Sequence, residues 1–286
     1  MFAPPLHAQG FAGGDQGKLL LTGGGTQAEG AAGGGLAAWA LITGYGTRDS
    51  YGANAHSTLV KTSDYRLHSY GVGVGINDRV ELSLNRQDFK VTGGALNGVE
   101  AGQDIFGVKV KVLGDAVYGQ DSLLPQVAVG VMHKRTDDIT GGVLGAGIKA
   151  TALGAKKDSG TDIYVAATKL LLSQSLLLNG TVRFTKANQF GLLGFGGDLK
   201  DEYRPEFEAT VLYLFSRSFA VATEYRTKPR NLSADKEQDA WDMFFVWAPN
   251  KHFPLVGAYL NLGKILDSQG YTSKQKGPYV SVQVGF

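Results

Sequence analysis

Apolar and polar residues alternate one by one through twelve separate stretches of this chain, and that period of two limits its fold more than any other feature. "GPYVSVQVGF" (277–286) shows it plainly. Val280, Val282, Val284 and Phe286 fall on one side, and Tyr279, Ser281, Gln283 and Gly285 on the other, as successive side chains of a strand must. The other stretches are 35–46, 65–76, 79–91, 104–114, 125–135, 160–171, 175–187, 203–215, 218–228, 239–248 and 254–264. Each has close to the ~9–11 residues that a tilted strand needs to cross a bilayer.

The connections sharpen the expectation. Asn77 and Asp78 alone separate the second and third stretches, "LSQ" the sixth and seventh, "SR" the eighth and ninth, and "PNKHF" the tenth and eleventh. The intervening connections 47–64, 91–103, 136–159, 188–202, 229–238 and 265–276 are long, and 115–124 is of middling length. Short turns at one end and long loops at the other are the rhythm of an up-and-down barrel in an outer membrane. An all-β fold follows: a transmembrane antiparallel up-and-down β-barrel of about twelve strands. "GAAGGGLAAWALITGYGT" (30–47) is the one long uncharged run, but its six glycines and short apolar centre rule it out as a spanning helix.

Composition excludes other classes. Glycine, at 41 of 286 residues, is about twice the usual ~7% and has no collagen period. Net charge is +2 without a basic run, so nucleic acid is not an expected partner. Cysteine is absent, which removes disulfides and thiolate metal sites. Residues 1–8 ("MFAPPLHA") are expected to be a remnant of a signal peptide or an ordinary loose terminus. Residues 9–34 form a glycine-rich segment with no strand partner, expected inside the lumen, and 35–286 the barrel.

The faces agree from stretch to stretch. Val80, Leu82 and Leu84 oppose Glu81, Ser83 and Asn85, and Phe106, Val108 and Val110 oppose Gly107, Lys109 and Lys111. Trp241 and Trp247 flank the apolar side of "AWDMFFVW" as an aromatic girdle would. The expected lumen lining is Arg79, Glu81, Lys109, Lys111, Arg183, Arg204, Glu206, Glu208, Glu224, Arg226 and Asp242. Mixed signs fit either a weakly selective narrow pore or a set of ion pairs that fills the barrel. Gly71, Gly73 and Gly75 leave space on the same inner side.

"YVSVQVGF" resembles the C-terminal signal of bacterial outer-membrane barrels, with Tyr279, Val282, Val284 and Phe286 as its elements. The resemblance implies export to the bacterial outer membrane through the barrel-assembly machinery, among outer-membrane lipids and lipopolysaccharide. "GKLLLTGG" (17–24) and "EGAAGGGLAAWA" (29–40) are similar to the opening of a proteobacterial barrel family known as a domain of unknown function. That likeness brings no activity with it.

No cofactor motif is present; "GVGVGI" (71–76) lacks the dinucleotide spacing and a following helix. Asp137, Asp138 and Asp158 share one connection and are the candidate Ca²⁺ ligands, without the spacing of a known loop. Among His7, His56, His68, His133 and His252, His68 adjoins Ser69, but strand neighbours face opposite ways and cannot pair as base and nucleophile. "ITGGVLGAGIKATALGAKK" (139–157) and "NQFGLLGFGG" (188–197) are apolar for outer loops, as segments that cover the mouth, bind an apolar molecule or extend the strands would be. The expected function is a narrow channel for a small solute, with no catalytic residue. A closed structural or partner-binding barrel is the alternative, and an outer-membrane lipid hydrolase the third.

Overall fold

In the computed structural model, residues 18–23, 25–145, 147–265 and 274–286 are described. Twelve strands carry the chain: β1 (Tyr51–Lys61), β2 (Tyr65–Ile76), β3 (Val80–Val91), β4 (Val99–Leu113), β5 (Gln126–Thr136), β6 (Ser159–Leu171), β7 (Leu176–Thr185), β8 (Arg204–Leu214), β9 (Phe219–Arg226), β10 (Ala240–Trp247), β11 (Leu255–Asn261) and β12 (Lys276–Gly285). Each pairs antiparallel with its neighbour in sequence, and β12 pairs back onto β1, with Asn54 opposite Gly285 and Val60 opposite Tyr279. The sheet therefore closes and leaves no unpaired edge, as a β-structure in lipid requires. Thr140–Gly141 adds a two-residue strand beside Val99 and Glu100.

Eleven of the twelve sequence stretches coincide with strands. The first does not, and this corrects the expectation that the barrel begins at Gly35. Residues 35–46 make only an isolated bridge, between Gly33 and Ala38, and run through the interior. The first strand is β1, inside what reads in sequence as a long connection, and residues 62–64 alone turn it into β2. Two physical reasons lie behind the error. Outward positions of β1 include Ala55 and Ser57, so its amphipathicity is weak. "GLAAWALI" has small or apolar residues on both faces, which is the composition of a segment buried all round.

The barrel has two distinct ends. The base receives the close of β12 and carries turns 77–79, 172–175, 215–218 and 248–254, with the longer 114–125. The rim carries 62–64, 92–98, 137–158, 186–203, 227–239 and the connection from β11 to β12. Outward residues such as Leu59, Val72, Leu84, Phe106, Val165, Val211, Met243 and Val282 are exposed in a continuous apolar belt. An apolar surface of that extent marks a lipid-facing wall. The protein is a transmembrane β-barrel. No described helix is long and apolar enough to cross a membrane.

Candidate functional site

The lumen is occupied by the chain's own N-terminal segment. Residues 29–46 are buried throughout, as in a protein core. An irregular backbone at this depth must find partners for its N–H and C=O groups; some bond within the segment, as Gly34 N does to Ala37 O, and the wall supplies others. The amides of Ala32 and Thr43 donate to Glu81 (3.1 and 2.8 Å), those of Leu36 and Ala37 to Glu224 (2.6 and 3.3 Å), and that of Ala38 to Glu208 (2.8 Å). Carbonyls accept in return: Trp39 from Lys109 (3.0 Å), Ala38 from Thr181 (2.6 Å), Ala40 from Gln126 (2.6 Å). Gln283 holds both main-chain groups of Thr26, at 3.0 and 3.2 Å. Gly34 and Gly35 leave no room for a Cβ beside Glu224 and Asp242, so their lack of a side chain is what lets the backbone approach these carboxylates.

Two side chains of the segment tie it to the barrel by charge: Lys18 meets Asp78 of the base turn at 2.7 Å, and Glu29 is buried among wall cations. Glu29 accepts from Lys134 and, at 2.7 Å, from Arg226, and Arg183 stands 3.6 Å away. Those cations also meet wall acids, Lys134 with Asp162 at 2.7 Å and Arg183 with Glu208 at 2.6 Å. Three acids thus face three bases, all buried. Of the expected lining, Glu81, Lys109, Arg183, Glu208, Glu224, Arg226 and Asp242 are buried in this lumen. Arg79 is exposed at the base, Lys111 pairs with Asp78 there, Glu206 accepts from Thr227, and Arg204 is half-buried at the rim end of β8. Glu29, Lys134 and Asp162 were not among the expected residues. Lys134 and Asp162 sit on the polar face of their strands, so face parity could have found them; nothing in the sequence singles out Glu29.

Above this stopper lies a chamber of about 220 Å³ on the rim side, with Gln27, Ala28, Glu29 and Leu36 as its floor. Val60, Phe89, Val99 and Leu260 line its wall, and Leu144, Leu153, Leu192 and Leu232 descend from the rim loops to cover it. The two glycine-rich loops thus fold over the mouth. Gln189 and Phe190, at φ 45° and 62°, hold a left-handed bend that non-glycine residues rarely adopt. The bend is held at several points. The Gln189 amide donates to Glu237 (3.0 Å), its side chain to Asp235 (3.1 Å), and the Lys228 ammonium reaches Gln189 at 3.3 Å and Leu262 O at 2.9 Å. Burial pushes the Glu237 carboxyl well above, and the Asp235 carboxyl above, the usual carboxylate range, and pushes Lys228 below its usual value.

The outer wall carries the remaining candidates. Trp241 and Trp247 are exposed at opposite ends of β10, with Tyr259 beside Trp241 (ring centroids 6.5 Å apart). Tyr279 points inward and is buried, Val282 and Phe286 are exposed, and Val284 is half-buried. The Phe286 carbonyl accepts from Tyr45 N (2.8 Å) and Ala53 N (2.9 Å), joining the stopper's end to the β1–β12 seam. His68 faces Ser57 across β1 and β2, with Nε2 3.0 Å from Oγ, a pair that could not be read without the true β1. Asp88, opposite His68 on β3, accepts from Arg86 Nε at 2.9 Å. Asp137 is held by Arg86 at 2.5 Å and Asp158 faces Lys149 at 4.0 Å. Among the described residues no three acidic or histidine side chains gather to hold a metal.

A family model described as protein of unknown function (DUF3034) matches residues 22–283. No curated protein matches the sequence. Among solved structures, the NanC porin is similar over 83% of this chain and 99% of its own, at 12% identity and a TM-score of 0.50. The KdgM porin is similar over 82% and 99%, at 8% identity and 0.47. Outer membrane phospholipase A from Escherichia coli is similar over 86% and 94%, at 10% identity and 0.42. At these identities the likeness to NanC speaks for the barrel fold alone.

Proposed function

The chain belongs to the DUF3034 family, and from that premise we propose that it is a channel of the bacterial outer membrane, stoppered by its own N-terminal segment and passing a small solute when that segment moves. The base then faces the periplasm and the rim the exterior. One observation carries the reading: the lumen is closed by a tethered peptide held through hydrogen bonds, ion pairs and the packing of Trp39 and Leu41 among wall side chains such as Leu212 and Phe244, not by the wall alone. Twelve strands leave more interior than an eight-stranded barrel, whose own side chains fill it. Bonds from polar wall groups to a peptide can be exchanged for bonds to water. Single-channel recording in planar bilayers tests this. The full chain should be silent or open in brief events, and a chain lacking residues 18–46 should conduct steadily. Silence of both, with the shortened barrel folded, favours the closed structural or partner-binding barrel instead.

A second reading, lipid hydrolysis, has the exposed Ser57–His68 pair in its favour. Asp88, which lies opposite His68 on β3, is engaged by Arg86. Fatty-acid release from phospholipid vesicles by the full chain, lost in Ser57→Ala, would establish hydrolysis; equal release by both, or none, removes it.

A further inference from the structure

The chamber above the stopper has a chemistry of its own. Its ~220 Å³ exceeds the ~150 Å³ of a dry engineered cavity that takes benzene. Its walls are side chains of Val, Leu, Ile and Phe from both strands and rim loops, which is the usual lining of a small-molecule site. A few polar groups interrupt them at the floor. Gln27 is fully buried, and neither its Nε2 nor its Oε1 has a hydrogen-bond partner. Buried side-chain amides are seldom left so. Asp242 Oδ1, also on the chamber lining, is likewise unpartnered. Together they present one donor and two acceptors at one end of an apolar space.

We propose that this chamber binds a neutral, mostly hydrocarbon small molecule that carries one hydroxyl or amide group. The hydrocarbon fills the apolar body, and the polar group donates to Gln27 Oε1 or Asp242 Oδ1 and accepts from Gln27 Nε2. Charge decides against an anion. Among the described lining residues Arg226 is the one basic side chain, and it is already bound by Glu29 and by Leu36 O at 3.0 Å. A cation would lose its hydration to walls of aliphatic carbon. The inference rests on the channel reading only for what becomes of the molecule afterwards, since binding needs the stopper in place as the floor.

A naphthalene series separates these outcomes by calorimetry on the full chain in amphipol: 2-naphthalenemethanol, 2-naphthoate, 2-naphthylmethylamine as its ammonium ion, and naphthalene. The alcohol should bind saturably and at least about ten-fold more tightly than either charged analogue. Gln27→Leu should weaken the alcohol about ten-fold and leave naphthalene within two-fold. Ala101→Trp fills the chamber from β4 and Leu192→Trp from a rim loop, and either should abolish saturable binding of both. The second variant lies outside the strands and keeps the test valid should the first not fold. Equal binding by the filled barrels, preference for a charged analogue, or indifference to Gln27→Leu overturns the proposal. Saturable binding beside a stopper-deleted barrel that never conducts removes the channel reading and keeps the site; steady conductance without saturable binding does the reverse.

Discussion

Glu29 carries the ion pairs between the stopper and the buried cations of the wall. It neutralises part of a buried triad of cations, Lys134, Arg183 and Arg226, that two wall acids alone cannot balance. Removing one partner of such a buried pair costs roughly 3–5 kcal/mol, and here the loss falls on the contact between stopper and wall. Glu29→Gln should therefore raise the open fraction in bilayer recordings by about a hundredfold or more, with the barrel still folded by circular dichroism. Depth governs the outer face. Val110 lies opposite Val80, the first residue after the base turn, so it sits near an interface and not at mid-depth. Leu84, opposite Phe106, lies deeper. Leu84→Arg should lower folding stability by roughly 2–4 kcal/mol and Val110→Arg by roughly 0–1 in urea unfolding titrations. The inward or outward sense of Val110 and Lys111 was legible from alternation, because parity needs only local sequence. Their depth was not, because it depends on where the turns fall, and neither was Glu29, whose partners come from strands more than a hundred residues away.

Among the elements, the rim loops and the stopper behave as a lid and a floor to one chamber. The lid is fastened where Gln189 meets Glu237, Asp235 and Lys228. Glu237 has a raised affinity for its proton in the closed lid, because burial disfavours its charge. That contribution to closure is fully present below the ordinary carboxylate range and is lost as pH rises through the raised value. Asp235 acts in the same direction, and Lys228, lowered by burial, acts in the opposite one, its contribution returning as pH rises through the lowered value. Introducing one thiol with Leu192→Cys into this cysteine-free chain gives a readout. Its labelling rate, relative to the same thiol in a Glu237→Gln background at each pH, should climb from pH 5 to pH 8; a flat ratio would show that Glu237 does not fasten the lid. The strands from β2 to β12 were legible because alternation, turn length and span all agreed. β1 was not, since its outward side chains are small, and the stopper read as a strand because its apolar residues are equally at home inside a sheet or inside a barrel.

For the molecule as a whole, closure of the sheet and filling of the lumen meet at one place, the seam of β1 and β12. Phe286 gives its carbonyl to both Ala53 of β1 and Tyr45 of the stopper, and Gln283 grips Thr26. Deleting Phe286 should leave most of the chain in the periplasm, measured by membrane fractionation; normal outer-membrane levels would show that the terminal residue is dispensable. Thr26 Oγ1 lies 2.8 Å from Asn54 Oδ1, so the pair Thr26→Cys and Asn54→Cys should cross-link the stopper to β1. The oxidised barrel should stay silent in bilayers and recover its openings on reduction. The same contacts bear on how the barrel comes to exist. Glu81 on β3, Glu208 on β8, Glu224 on β9 and Gln283 on β12 all bond to one short peptide that leaves the first strand. Strands from several sides of the circle are thus bonded to a common axis in the finished barrel. The segment is placed to serve as a mandrel on which the sheet is wound, and a chain made without it should reach the same cylinder more slowly, having to find its girth unaided.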